Sequence, residues 1–237
     1  MTILALLVTT ADHLAKRGVF PSDKADMWLT HAIKTQAHYQ RVMWAAVKDL
    51  YNGAISESGF EDVMLQLIDG QLTRAWNEGM RHNGLDPATD MAPEWSAILD
   101  EIKLSEIDFV GRIAGEIIEA AQAGTGYEEL RSRVDLWAAR YNDVLNRSIL
   151  ETAGGGNFEW IVGDTEHCET CLSLNGIVAS LADWKTAGFK PQSDWRGALP
   201  NRFLKCSGFR CGCKLAKTNK RKSPKALNTL LNIGTEL

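Results

Sequence analysis

The chain has 237 residues, 45% hydrophobic and 24% charged, with a formal net charge of −4. These values are ordinary for a soluble globular protein of one large or two small domains. They exclude a membrane span: the longest apolar start, Ile3 to Val8, falls well short of the roughly 20 residues a spanning helix needs.

That start also lacks the basic region and small-residue cleavage site of a signal peptide, so the expected compartment is a reducing cytosol. Charge is unevenly spread. Asn201 to Lys225 holds nine basic residues and no acidic one, so the remainder carries −13 against the chain's −4. A basic end on an acidic body points to a polyanion or an acidic partner surface, or simply to a solvated tail.

The first 150 or so residues have helical periodicity. Pro21-Ser22-Asp23 reads as a helix start with Ser22 as N-cap. Trp28, Ala32, Tyr39, Met43, Ala46 and Leu50 then recur at helical spacing up to Asn52-Gly53. A second helix is expected from Ser58, with Glu61 completing a capping box, to Asn83-Gly84. Its apolar face holds Phe60, Met64, Leu67, Ile68, Ala75 and Met80.

A third helix is expected from Pro93 to Gln122 and a fourth from Tyr127 to Thr152, with Gly124-Thr125-Gly126 between them. Long helices with short breaks predict a bundle. Trp28, Trp44, Trp76, Trp95 and Trp137 read as core or interface fillers.

Gly154-Gly155-Gly156 reads as a hinge. It is no phosphate loop, because no G-K-[ST] follows it. Phe158, Trp160 and Val162 alternate with Glu159, Ile161 and Gly163, predicting a short strand. Ser180 to Ala187 reads as a short helix capped by Ser180 and ended by Gly188. The rest looks loop-rich, with Trp184 and Trp195 available for a small core. The expected organisation is a helical domain over 1–153, a cysteine-rich module over 157–217 and a basic tail over 218–237. The fold class is α+β, a long-helix bundle followed by a small loop-rich module stapled by zinc.

The staple is read from the cysteines. A module of this size with little regular structure usually needs a metal or a disulfide. Five cysteines, odd in number and clustered in a cytosolic chain, read as metal ligands. Cys168 and Cys171 form a Cys-x-x-Cys pair, the spacing at which one turn aims two sulfurs at one ion. The second half comes from Cys206, Cys211 and Cys213. Cys168, Cys171, Cys206 and Cys211 are the preferred four, with Cys213 as alternate ligand or nearby buried thiol. His167, next to Cys168, reads as a surface or outer imidazole rather than a ligand.

Thiol ligands are in surplus and only one histidine is near, so a structural Zn²⁺ is expected and a catalytic one is not. Deaminase and thioredoxin-like patterns are absent. No nucleophile–base pair stands out, and no enzymatic activity is expected. Lys214, Lys217, Lys220, Arg221, Lys222 and Lys225 form a basic run able to neutralise phosphates without reading bases.

The stretch W-I-V-G-D-T-E-H-C-E-T-C-L-S-L-N-G, Trp160 to Gly176, followed by L-K-C-S-G-F-R-C-G-C-K-L, Leu204 to Leu215, resembles the C-terminal region of phage head morphogenesis proteins. These are the minor head proteins of the phage Mu F-like family. Trp160, Asp164, Cys168, Cys171, Leu174, Gly176, Cys211 and Cys213 fall on its pattern, and Cys206 stands where the family places a preceding His or Cys. The Cys206–Cys211 spacing is one residue longer than usual. R-S-I-L-E, Arg147 to Glu151, loosely echoes the family's Arg-Thr-Glu.

The resemblance covers about 80 residues. It implies a virion or procapsid component of few copies, formed in the host cytoplasm and oligomeric in the assembly. Such a protein associates with the portal and other head proteins and touches packaged DNA without sequence preference. Two other readings are a zinc-ribbon nucleic-acid binder and, less favoured, a phage zinc nuclease centred on His167.

Overall fold

The structure, a computed structural model, describes residues 36–163, 166–197, 200–209 and 211–235. The Pro21-Ser22-Asp23 start and Trp28 lie outside them, as does Asp164. Among the described residues, seven α-helices, a short 3₁₀ turn and three strands follow in the order α1 (Gln36–Tyr51), α2 (Glu57–His82), α3 (Pro93–Ala123), 3₁₀ (Tyr127–Leu130), α4 (Arg131–Glu151), β1 (Asn157–Ile161), α5 (Glu169–Leu174), β2 (Val178–Ser180), α6 (Leu181–Ala187), β3 (Lys214–Thr218) and α7 (Ala226–Thr235). The fold is α+β. Among the described residues no helix is long and apolar enough to cross a membrane.

The described residues divide into two compact units, one of 36–71 with 103–138, the other of 72–102 with those from 139 to 235. In the first, Tyr39, Met43 and Val47 of α1 and Phe60, Met64 and Ile68 of α2 are buried, as are Val110, Ile113 and Ile117 of α3 and Val134 of α4. Spacings of three and four put each set on one helix face. Buried Glu106 accepts the Trp137 ring N–H at 2.9 Å, and Gln71 donates to Ala138 O at 3.1 Å. Trp76 and Trp137 are buried, while Trp44 and Trp95 are half-buried.

The second helix starts earlier than its sequence indicates. Ser56 is its cap, its Oγ accepting from Gly59 N–H at 3.1 Å, and Ser58 lies inside the first turn. The segment S-E-S-G offers two capping serines, and the upstream one wins.

In the second unit α2 and α4 approach closely at Gly79. A Cβ there would lie 2.5 Å from Ser148 Cβ and 2.9 Å from Leu145 O. Ser148 Oγ also donates to Trp76 O at 2.6 Å, so it has little freedom to withdraw. Gly79→Ala should cost about 1–3 kcal/mol through overpacking, read as a fall of several degrees in Tm. Adding Ser148→Gly should recover part of it.

The triple glycine adopts positive φ throughout, 65°, 103° and 109°, and turns the chain from α4 into β1. β1 is the central strand of an antiparallel sheet ordered β2-β1-β3. Phe158 pairs with Ala179 on one side and Lys217 on the other. Phe158 and Trp160 are fully buried, as the alternation requires.

α6 is capped as expected: Ser180 and Asp183 form a reciprocal capping box, and Gly188 ends the helix at φ 82°. The module has more core than a loop-rich reading allows. Phe158, Trp160, Leu174, Trp184, Phe189, Leu204, Leu215 and Leu230 pack together, with Trp195 partly buried against them. Much of the addition comes from α5, β3 and α7, which have no strong periodic signal of their own. The residues after 217 are tied in: Ser223 N–H donates to Val178 O at 2.8 Å, and Ala226 and Leu230 of α7 enter the core.

Candidate metal centre

Three segments carry the five cysteines. Cys168 is the N-cap residue of α5, in extended conformation, and Cys171 lies one turn further on. Side chains three apart on a helix share a side, so this turn brings both sulfurs together. Leu172 N–H closes it onto Cys168 O at 3.1 Å.

Cys206 sits in the loop between α6 and β3. Asn201 N–H closes that loop on Ser207 O at 2.8 Å, with Ser207 in the left-handed region at φ 55°. Lys205 N–H donates to Thr170 Oγ1 at 3.3 Å, which ties this loop to α5. Cys211 and Cys213 flank Gly212 immediately before β3.

The Cys168, Cys171 and Cys206 sulfurs lie within 4.8 Å of one another, and so do those of Cys171, Cys211 and Cys213. All five predicted thiols are therefore brought together, none in a disulfide. Cys171 and Cys213 are buried and the other three half-buried. The two groups meet at Cys171. Such a set of soft donors, with Cys168 and Cys171 more than 30 residues before the other three, can hold a metal ion.

The protons of this cluster are shared unequally. The neighbouring Cys206 sulfur first, then those of Cys211 and Cys213, and burial all favour the protonated form of Cys171 and push its thiol far up. Cys213 accepts from Cys171 and then Cys211, and is drawn down to about 4 despite burial. Cys211 is lowered to about 7, chiefly by accepting from Cys171 and Cys206. Adjacent thiols cannot all ionise without a compensating cation, so metal binding here releases protons.

Cys213 has further support. The Gly163 N–H and the Trp160 ring N–H both favour its thiolate. Trp160 Nε1 is buried and makes no hydrogen bond of good geometry, so its dipole acts on the sulfur from close by. His167 stands on the other side. Its Nε2 is 2.7 Å from Gly163 O and its Nδ1 3.5 Å from Cys213 Sγ. A carbonyl only accepts, so Nε2 carries the proton and Nδ1 faces the sulfur. The two backbones touch here: a Cβ on Gly163 would come within 2.5 Å of Gly212 O.

Sequence reasoning missed the residues that hold the Cys-Gly-Cys turn. Gln192, buried and at φ 60°, donates through Nε2 to Cys211 O at 2.8 Å and Cys213 O at 2.7 Å. Its Oε1 accepts from Asn146 Nδ2 at 3.2 Å. Asn201, fully buried, donates to the carbonyls of Lys190, Gln192 and Ser193 at 2.8–3.1 Å. Beneath them Lys190, 0% exposed, pairs with Asp143 at 2.6 Å and also donates to Ser193 Oγ at 3.0 Å. Arg140 pairs with the other Asp143 oxygen. Burial opposes charge on Asp143, but Lys190 and Arg140 outweigh it and hold its carboxyl below the usual range. In sequence, K-P-Q-S-D looks like a surface turn, and nothing local marks its lysine as buried.

Half of the basic run is engaged within the chain. Lys217 Nζ donates to Ala153 O at 2.9 Å. Lys220 pairs with Glu159 at 2.7 Å and Lys222 with Asp183 at 2.6 Å. Lys214, Arg221 and Lys225 are exposed, Lys225 at φ 52°.

No family model matches the chain, and neither the curated proteins nor the solved structures give a match.

Proposed function

We propose that this chain is a structural minor head protein of a phage or prophage, non-enzymatic, that associates with the portal and assists head assembly. Its C-terminal module is locked by one structural Zn²⁺ on cysteine thiolates. The observation that carries the reading is the convergence of all five cysteines, from three segments, at the positions of the head-protein resemblance. Other residues of that pattern have structural parts beside the cluster. Trp160 packs beneath it, Leu174 is fully buried, and Gly176 turns the chain at φ 79° into β2. Zn²⁺ suits a set of thiolates around one point, and its binding energy becomes folding energy for the loops it joins.

The nucleic-acid reading draws less support, because Lys217, Lys220 and Lys222 already have partners within the chain. A contact with packaged DNA then rests mainly on Lys214, Arg221 and Lys225 and is non-specific.

Co-expression with the portal protein encoded in the same phage genome tests the assembly role. The expected result is co-purification at near-physiological salt. A folded, metal-loaded chain that never associates with portal, procapsid or virion would contradict it.

Gln192 offers a test of the centre's support. Gln192→Ala removes both bonds to the cysteine carbonyls and should weaken zinc binding by roughly 10- to 100-fold, the usual effect of losing an outer-shell partner. Competition with a chromogenic chelator reads this directly.

A further inference from the structure

We propose that the five thiols form two overlapping seats for a single divalent ion, with Cys171 a ligand in both and Cys168 and Cys213 the exchangeable outer members. This deepens the zinc reading above and rests on it. A tetrahedral ion takes four thiolates. Each compact group of sulfurs supplies three: Cys168, Cys171 and Cys206, or Cys171, Cys211 and Cys213. An ion in either group takes its fourth ligand from the other. Cys171 belongs to both and is 1% exposed. It therefore stays bound wherever the ion sits.

The outer members differ in their surroundings. Cys168 is half-buried at the start of α5. Cys213 is 0% exposed, with the Trp160 ring, the Gly163 backbone and His167 Nδ1 around its sulfur and Gln192 fixing its carbonyl. The inner seat is the drier and better braced, so the ion favours it. Exchange is a plain ligand substitution. The bond from the metal to one outer sulfur breaks as the bond to the other forms, and the proton passes from the incoming thiol to the outgoing one. Thiolate count and metal charge are unchanged, and no oxidant is needed.

The experiment compares purified full-length wild type with Cys168→Ser, Cys213→Ser, Cys171→Ser and the double variant C168S/C213S. Zinc per chain and zinc affinity by chelator competition are measured, with cobalt(II) spectra to report sulfur ligation. Wild type is expected to hold one ion. Cys168→Ser should keep it with affinity lowered by about tenfold or less, and Cys213→Ser should keep it with a larger loss, roughly 10- to 100-fold. The double variant should lose stoichiometric zinc, as should Cys171→Ser if it folds.

Loss of the ion in Cys168→Ser alone, or retention in the double variant, overturns the two-seat arrangement while leaving the zinc reading intact. Two ions in wild type also overturn it. A wild type without any metal removes both.

Discussion

Stripping zinc from the purified chain with a strong chelator should lower its stability by about 4 kcal/mol when free metal had stood near a thousandfold above its dissociation constant. For a chain of this size that corresponds to a fall in Tm of roughly 10 °C. The loss should be local in origin. The sheet and the Trp184–Phe189 side of the module keep an apolar core of their own, with Phe158, Trp184 and Phe189 fully buried. The cysteine loops have less of their own to hold them: short turns, the Lys205–Thr170 bond and the Gln192 clamp. Trp160, whose ring N–H lies beside Cys213, should report the change in fluorescence. Restoring zinc should return both signals. A melting curve indifferent to chelator, with metal shown to be gone, would mean the loops are held by packing alone.

The other large effect lies under the centre. Asp143→Ala leaves Lys190 fully buried without its counter-ion and should cost about 3–5 kcal/mol. Removing the charges together, as in Asp143→Leu with Lys190→Met, should cost much less, because no ion is then stranded. Acid provides a second readout. The folded Asp143 carboxyl is held below the usual range by Lys190 and Arg140 against the opposing effect of burial. Its contribution is fully present above the unfolded value of about 4 and is lost as pH falls through the lower folded value. Wild type should therefore lose stability steeply below about pH 4, while Asp143→Asn starts lower and declines less over that range. Equal acid slopes would show that Asp143 carries no such contribution.

How much of this could be read in advance depended on the range of the cause. Helix faces such as Tyr39, Met43 and Phe60, Met64 repeat within a few residues, so local periodicity reveals them. Ser180, Asp183 and Gly188 mark α6 because caps are local chemistry. The triple glycine marks a turn for the same reason.

The pairings of β1 with β2 and β3 depend on residues up to 61 positions apart, as in Asn157 with Thr218, and no local pattern encodes them. α5 escaped because six residues hold too little periodicity, and its role emerges only when Cys171 meets Cys206 and Cys213. The cysteines were legible as candidate ligands by type and spacing, but their division into two groups around Cys171 is a property of three loops in space. The Lys190–Asp143 pair and the Gln192 clamp were invisible, since K-P-Q-S-D has the composition of an exposed turn. The chain buries it because Asp143, 47 residues earlier, awaits the lysine.

The most direct test is elemental analysis of native protein purified under reducing conditions without added metal or affinity resin metals. One zinc per chain is the expected result. A folded preparation that contains no stoichiometric divalent metal would contradict the claim that these thiols exist to hold an ion.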